Sequence, residues 1–259
     1  MANKLKARLD AGKACINGWL AIPSGFSAEV MAGCGWDSVT VDQQHGVQDY
    51  QSMVQCFQAM DKHPITPLTR VPWNEPGIIG KALDGGAWGI ICPMVNNAAE
   101  AKALADACLY PPIGKRSNGP IRAAAYGVMS SYQSTANDNV LVFPMIETQE
   151  GIDNIDAILT VPGISGIYIG PSDMGLSLGM IPILDREEPR ILEIYATLLA
   201  SCKKHGKFAG IHNGSASYAA RMVKMGFQLC TIMNDSGLMA KAAKEAVAQA
   251  RKEGGDAAN

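Results

Sequence analysis

Apolar residues fall along the chain in short blocks of four to seven positions, at 18–22, 37–42, 65–71, 88–91, 140–146, 166–169, 208–211 and 227–233. Between these blocks the apolar positions recur at the spacing of a helix buried along one face. That spacing predicts helices over 27–34, 50–62, 76–83, 98–108, 150–159, 189–205, 215–225 and 236–252. Glycine or proline marks most of the junctions. Eight strands therefore alternate with eight helices, and the strands are apolar at consecutive positions rather than at every second one. Strands of that kind belong in a parallel sheet covered on both faces. The expectation is an α/β protein, a (β/α)8 TIM barrel occupying 1–259 as a single domain. A doubly wound sheet is the competing arrangement, but no G-x-G-x-x-G follows the first strand.

Two connections depart from the short pattern. Residues 110–127, YPPIGKRSNGPIRAAAYG, form a loop rich in Gly, Pro and Arg, expected as a lid or an assembly contact. After the sixth strand, GPSDMGLSLGMIPILDREEP makes a second long connection, at the strand ends where barrels keep their chemistry. The tail, ending KEGGDAAN, is expected to fray from about residue 250.

Composition narrows the partners. The 259 residues are 47% hydrophobic and 18% charged, with a formal net charge of −2. That suits one large core and gives no electrostatic footprint for nucleic acid or an anionic membrane. Small molecules and copies of the same chain are the expected partners. The seven cysteines are odd in number, never in C-x-x-C spacing and mostly inside apolar segments. They read as reduced core thiols of a cytoplasmic protein, not as disulfides or a zinc site. The first residues alternate charged and small side chains without the apolar core of a signal peptide, and the longest apolar runs have strand length.

Loops that follow the strands of a parallel barrel build its catalytic face. The first strand ends near Trp19, the second at Asp42 with His45 beyond it, and the third at Arg70. The fifth ends at Glu147, the sixth leads through Gly170, Pro171 and Ser172 to Asp173, and the seventh ends at His212. Ionisable groups converging in this way are costly to bury without pairing or a metal. Glu147 and Asp173, on consecutive strands, make a hard oxygen pair suited to Mg²⁺ or Mn²⁺, with water or substrate completing the shell. The plain alternative is a helix cap at Asp173 and a surface carboxylate at Glu147. Arg70 either pairs with a rim carboxylate or clamps an anionic oxygen. His45 beside Asp42 has the makings of a general base with its orienting acid, against the plain alternative of a loop histidine.

Other polar residues point elsewhere. His63 and His205 lie at helix ends near the opposite face and read as structural. Lysines sit on helices or, like Lys207, before a strand, which disfavours a Schiff-base aldolase. HNGSAS at 212–217 reads equally as an anion-binding helix start or as a helix cap by Asn213 or Ser215.

With these residues in place the chain resembles the metal-dependent (class II) pyruvate aldolases, which include 4-hydroxy-2-oxoheptanedioate aldolase and 2-dehydro-3-deoxyglucarate aldolase. The resemblance covers nearly the whole chain and rests most on YPPxGxR, IET and IGPSD in combination. It implies a (β/α)8 barrel assembled as a homohexamer, with the last helix exchanged between neighbouring subunits. It implies a divalent ion (Mg²⁺, Mn²⁺ or Co²⁺) held by Glu147 and Asp173, and no organic cofactor. His45 becomes the proton acceptor, Arg70 the transition-state stabiliser, and the backbone at Ser172 and Asp173 the holder of the pyruvate carboxylate. The resemblance assigns Asp84 the task of raising the basicity of His45. Asp84 ends a predicted helix at the far face of its own barrel, so Asp42 stands as the local candidate beside it.

The implied reaction forms a pyruvate enolate and adds it reversibly to an aldehyde, giving a 4-hydroxy-2-oxo acid. Three positions depart from the family pattern: Gln44 replaces a glutamate, Met145 a glutamine that contacts substrate, and His212 a leucine. With Trp19 these shape the pocket for the acceptor aldehyde. Two rivals remain at this level. One is a related metal-dependent acyl-CoA lyase, with Lys115, Arg116 and Arg122 for the CoA phosphates. The other is a catalytically silent barrel serving as a binding or assembly module.

Overall fold

The computed structural model describes residues 3–126 and 129–254. Its first half runs α1 (Lys4–Asp10), β1 (Cys15–Leu20), α2 (Gly25–Ala32), β2 (Ser38–Asp42), α3 (Tyr50–Met60), β3 (Thr66–Arg70), α4 (Pro76–Asp84), β4 (Gly89–Cys92) and α5 (Ala98–Cys108). A 3-10 turn (Ala123–Tyr126) and α6 (Met129–Asn139) lead into β5 (Leu141–Ile146). Then come α7 (Gln149–Asp153), α8 (Ile155–Leu159), β6 (Gly166–Ile169), α9 (Pro171–Ser177), α10 (Pro189–Lys204), β7 (Phe208–Asn213), α11 (Ala216–Met225), β8 (Leu229–Ile232) and α12 (Asp235–Gly254). All eight strands pair in parallel and in sequence order, and β8 closes on β1 with Cys15 opposite Leu229. The (β/α)8 barrel expected from the periodicity is the observed fold.

Every residue of β2, β4, β5 and β6 is buried, because one strand face packs on helices and the other fills the barrel. The inner cluster holds Leu68, Ile91, Phe143, Met145, Tyr168 and Leu229, and Leu5 and Leu9 of α1 pack into it. That helix plugs the end where the strands begin, tied by the Leu5 N–H donating to Thr66 Oγ1 at 3.0 Å.

Several boundaries move for identifiable reasons. β1 starts at Cys15, three residues before the predicted block, and passes through Gly18. A Cβ at Gly18 would lie 3.1 Å from the Trp36 ring, so that glycine serves a close approach and not a strand start. The predicted end of this strand is loop, because the N–H groups of Ala21 and Ile22 go to Asp235 instead of a neighbouring strand. The predicted helix at 150–159 is two short helices, broken at Asn154, whose side chain donates to the Asn96 carbonyl.

Residues 110–127 do not form a lid. Residues 110–126 lead from α5 toward α6, ahead of β5, at the face where strands begin, and Gly127 lies outside the described residues. Arg116 pairs there with Asp84 at 2.7 Å, and Arg122 with Asp61 at 3.0 Å and the Gly85 carbonyl. α12 continues to Gly254, so 250–254 is helix; the rest of the expected frayed tail, 255–259, lies outside the described residues. Along this 20-residue helix only Asp235 is buried.

Candidate active site

The register of β2 against β3 sets Asp42 directly opposite Arg70, and the two side chains join at the strand ends. Arg70 Nε donates to Asp42 Oδ1 at 2.8 Å and Nη2 to Oδ2 at 2.6 Å, while Trp19 Nε1 donates to Oδ2 at 3.1 Å. Burial pushes the Asp42 carboxyl up, but the Arg70 contacts, the Trp19 N–H and the His45 backbone N–H together hold it below its ordinary value. The guanidinium also lies 4.9 Å from the centre of the Trp19 ring. Held on three sides, Arg70 keeps Nη1 without a hydrogen bond among the described residues. Both readings offered for Arg70 are thus compatible: the carboxylate fixes one edge and leaves a donor for an anion.

Asp42 meets His45 through the backbone, accepting its N–H at 3.3 Å and that of Gln44 at 3.2 Å. Its carboxylate orients the loop, not the imidazole. The His45 side chain is exposed, and its ring has no hydrogen bond among the described residues. Asp84 lies at the opposite end of the barrel, paired with Arg116. Within one chain neither carboxylate reaches the His45 ring.

Glu147 follows β5 and is only 2% exposed, so it is not a surface carboxylate. Burial raises its carboxyl to about 7; the Met94 N–H and Arg70 pull it down, and Asp173 pushes it up. Met94 donates its N–H to Glu147 Oε1 at 2.8 Å from a left-handed conformation, φ 54°. A non-glycine residue in that region stores strain and persists where its surroundings hold it, often at functional sites. Asp173 is the third residue of α9, within its first turn, and the cap is Gly170. A Cβ at Gly170 would fall on Glu147 Oε2 and 2.9 Å from Met145 Cε, so a side chain there would have to displace that carboxylate.

Two carboxylates, one buried with a raised pKa, leave the pair short of positive charge. Among the described residues no cluster of three or more His, Cys, Asp or Glu forms a closed metal cage. Two hard oxygen donors with the remaining positions open to water or substrate fit Mg²⁺ or Mn²⁺, which keep part of their shell from outside the protein.

These groups surround a cavity of about 210 Å³ lined by Trp19, Asp42, His45, Arg70, Met145, Ser172, Asp173 and His212, with Gly170, Leu184 and Asn234. The strand-end residues singled out in the sequence converge there, except Gln44 and Glu147, which are not among the lining residues; Glu147 lies behind the wall at Gly170. No lysine lines it. A larger groove of about 950 Å³ between α10 and α11 opens at the opposite end and holds none of these groups. His212 sits in β7 with the Trp19 ring edge-on at 4.8 Å and Tyr168 Oη 3.3 Å from Nδ1. Burial first, then the Arg70 charge, brings its pKa down to about 3 against an opposing pull from Asp42.

Other neighbours of the site were not foreseen. The start of α9, which bears Ser172, is braced by Arg186, fully buried, which donates to the Pro171 carbonyl at 3.0 Å and to the Ile181 carbonyl. Asp185, in the connection from α9 to α10, accepts the Gly214 N–H at 2.7 Å and the Ser215 hydroxyl at 2.6 Å, while Ser215 caps α11. HNGSAS is thus a cap whose free N–H already has a carboxylate. Met94 and Asn234 carry weak signals, a proline at 93 and an Asn-Asp pair after β8.

A closed parallel barrel with a carboxylate pair and an anchored arginine at its strand ends defines the class: a TIM-barrel protein with its chemistry at the C-terminal face. The chain belongs to the HpcH/HpaI aldolase/citrate lyase family, which residues 18–254 match. It is 38% identical over 250 residues to a hydroxypyruvate/pyruvate aldolase of Rhizorhabdus wittichii, covering 96% of this chain and 99% of the relative. It is 33% identical over 251 residues to the 4-hydroxy-2-oxo-heptane-1,7-dioate aldolase of Escherichia coli, covering 96% and 95%. Among solved structures, a family protein from Burkholderia cenocepacia superposes with TM-score 0.90 at 29% identity, covering 96% of this chain and 100% of that one. A citrate lyase beta subunit from M. tuberculosis, solved with oxaloacetate and magnesium, is 15% identical with TM-score 0.58, covers 89% of this chain and 95% of that one, and shares the fold alone.

Proposed function

We propose that this chain is a class II, divalent-metal-dependent pyruvate aldolase, a carbon–carbon lyase that joins a pyruvate enolate to an aldehyde and reverses the step. The observation that carries the reading is the convergence of Asp173, Arg70 and His45 on one cavity, with Glu147 buried against its wall at Gly170. Aldolases named for hydroxypyruvate, pyruvate and a 4-hydroxy-2-oxo acid at 33–38% identity support it. Glu147 and Asp173 would hold Mg²⁺, Mn²⁺ or Co²⁺, and the ion supplies polarisation of a substrate carbonyl when bound. The first-turn N–H groups at Ser172 and Asp173 meet the pyruvate carboxylate. His45 takes a proton from the pyruvate methyl carbon, and Arg70 Nη1 meets the oxygen on which charge develops. Trp19, Met145 and His212 wall the space left for the aldehyde, and Gln44 acts from the rim.

A homohexamer with α12 exchanged between subunits belongs to the same reading. Its support is the exposure of that helix, with Met239 61% and Val247 50% accessible, and an aldolase-family fold around it. In that assembly Asp84 would reach His45 from a neighbour. A cytoplasmic location fits the seven unpaired cysteines, and no helix among the described residues is long and apolar enough to cross a membrane. The acyl-CoA alternative loses its anion site. Lys115, Arg116 and Arg122 lie at the opposite face, paired with Asp106, Asp84 and Asp61.

The test is exchange of pyruvate methyl protons in D₂O, followed by NMR with Mg²⁺ or Mn²⁺ and again with EDTA. Metal-dependent exchange, abolished in His45→Ala, is the expected result. No exchange with any divalent ion refutes the reading.

A further inference from the structure

Beneath the cavity the barrel holds a buried polar chain. Ser38 Oγ donates to Asn17 Oδ1 at 2.7 Å, and Asn17 Nδ2 donates to Thr231 Oγ1 at 2.9 Å. Tyr168 Oη donates to the same Thr231 oxygen at 2.6 Å. A phenol has one hydrogen to give, so toward His212 Nδ1, 3.3 Å away, Tyr168 Oη acts as the acceptor. The imidazole proton then sits on Nδ1 and the lone pair on Nε2. Nε2 has no partner among the described residues, and the ring lines the cavity beside the apolar walls of Trp19, Met145 and Leu184. Burial and the Arg70 charge keep the ring neutral, so Nε2 does not gain a proton and become a second donor.

We infer that His212 is a specificity residue whose Nε2 accepts a hydrogen bond from a substrate hydroxyl, so the site favours hydroxylated over deoxy substrates. The inference rests on the aldolase reading and adds the substrate class. A leucine offers no acceptor there, and a deoxy substrate leaves Nε2 desolvated and unpaired. The hydroxyl has two sources, C3 of the 2-oxo acid or the carbon next to the aldehyde.

The experiment separates them. kcat/KM is measured for pyruvate against 3-hydroxypyruvate with one shared aldehyde, and for acetaldehyde against glycolaldehyde with pyruvate. The proteins are wild type, His212→Leu and His212→Gln, all metal-loaded. In one arm the leucine variant should lose about tenfold or more of the hydroxyl preference, while glutamine, whose amide oxygen still accepts, keeps most of it. The arm that changes names the source. Ratios within twofold of wild type in both arms for the leucine variant overturn the inference.

A readout independent of turnover is the imidazole ¹⁵N spectrum of the wild-type protein. It should show Nδ1 protonated and Nε2 bare. An Nε2–H tautomer or an imidazolium at neutral pH overturns the inference even if the variants fail to fold. Failure of the methyl exchange with the Nδ1–H tautomer present refutes the aldolase reading alone. In that case a shift of the Nε2 resonance with 3-hydroxypyruvate, but not with pyruvate, upholds the hydroxyl contact, and no shift with either overturns it.

Discussion

Replacing His212 with leucine should change how stability responds to acid. His212 is closed in by Trp19 and Tyr168, faces the Arg70 guanidinium with Asp42 behind it, and has a pKa of about 3. An unfolded histidine titrates near 6.5. The folded value is the lower one. Above pH 6.5 the ring is therefore neutral in both states, and its contribution is fully present. As pH falls, the unfolded chain takes up a proton that the folded protein refuses, and stability is lost progressively down to about pH 3.

At pH 5 the linkage relation gives RT ln(1 + 10^1.5), about 2 kcal/mol, governed by the unfolded imidazole because pH 5 is well above the folded value. For a chain of this size that is about 4–8 °C in Tm. The assay is Tm for wild type and His212→Leu at pH 8 and pH 5, at one protein concentration, salt, metal level and scan rate. Whatever His45, His63 and His205 contribute is common to both proteins and cancels. Loss of the Tyr168 contact offsets the variant equally at both pH values. The gap between the two Tm values should therefore move by about 4–8 °C in favour of leucine on going to pH 5. A gap constant to within about 1 °C refutes the burial of a neutral imidazole, and with it the lone pair assigned to Nε2.

Two further substitutions probe the rest of the rim. Asp42→Asn removes the charge facing Arg70, whose side chain is only 12% exposed, and should cost about 3 kcal/mol or more by denaturant titration; a loss under about 0.5 kcal/mol means the pair does not hold Arg70. Gly170→Ala places a Cβ on Glu147 Oε2 and should weaken Mn²⁺ binding by about tenfold or more in a titration, with the far-UV spectrum unchanged; unaltered affinity removes Glu147 from the metal site.

The barrel was legible because its strands are buried on both faces, a property written in consecutive apolar residues such as 140–146. The site residues were legible for a related reason: Asp42, Arg70, Glu147 and His212 interrupt such runs where burial should forbid a polar group. What joins them was not. The Asp42–Arg70 pair depends on the register of β2 against β3, and Asp42 reaches the His45 backbone and not its ring because the loop between them turns back. The role of Met94 depends on a φ that a methionine does not advertise. α1 and α6 escaped notice because each is short or polar and is held by tertiary contacts, as Asn3 is to the carbonyls of Trp88 and Asn139.

The carboxylate of Asp235 carries a consequence for how this protein comes into being. The first residue of α12 accepts the N–H groups of Ala21 and Ile22, at 2.8 and 3.2 Å, and the Ser27 hydroxyl at 3.2 Å, more than 200 positions earlier in the chain. The turn after β1, next to Trp19, thus has its backbone satisfied only once residue 235 has been made. On the ribosome the early βα units lack both β8 and this carboxylate, so the barrel cannot close beside Trp19 until both have emerged. A protein wired this way has high contact order and a slow closing step. Its incomplete forms expose an open strand edge, the condition under which nascent barrels depend on chaperones.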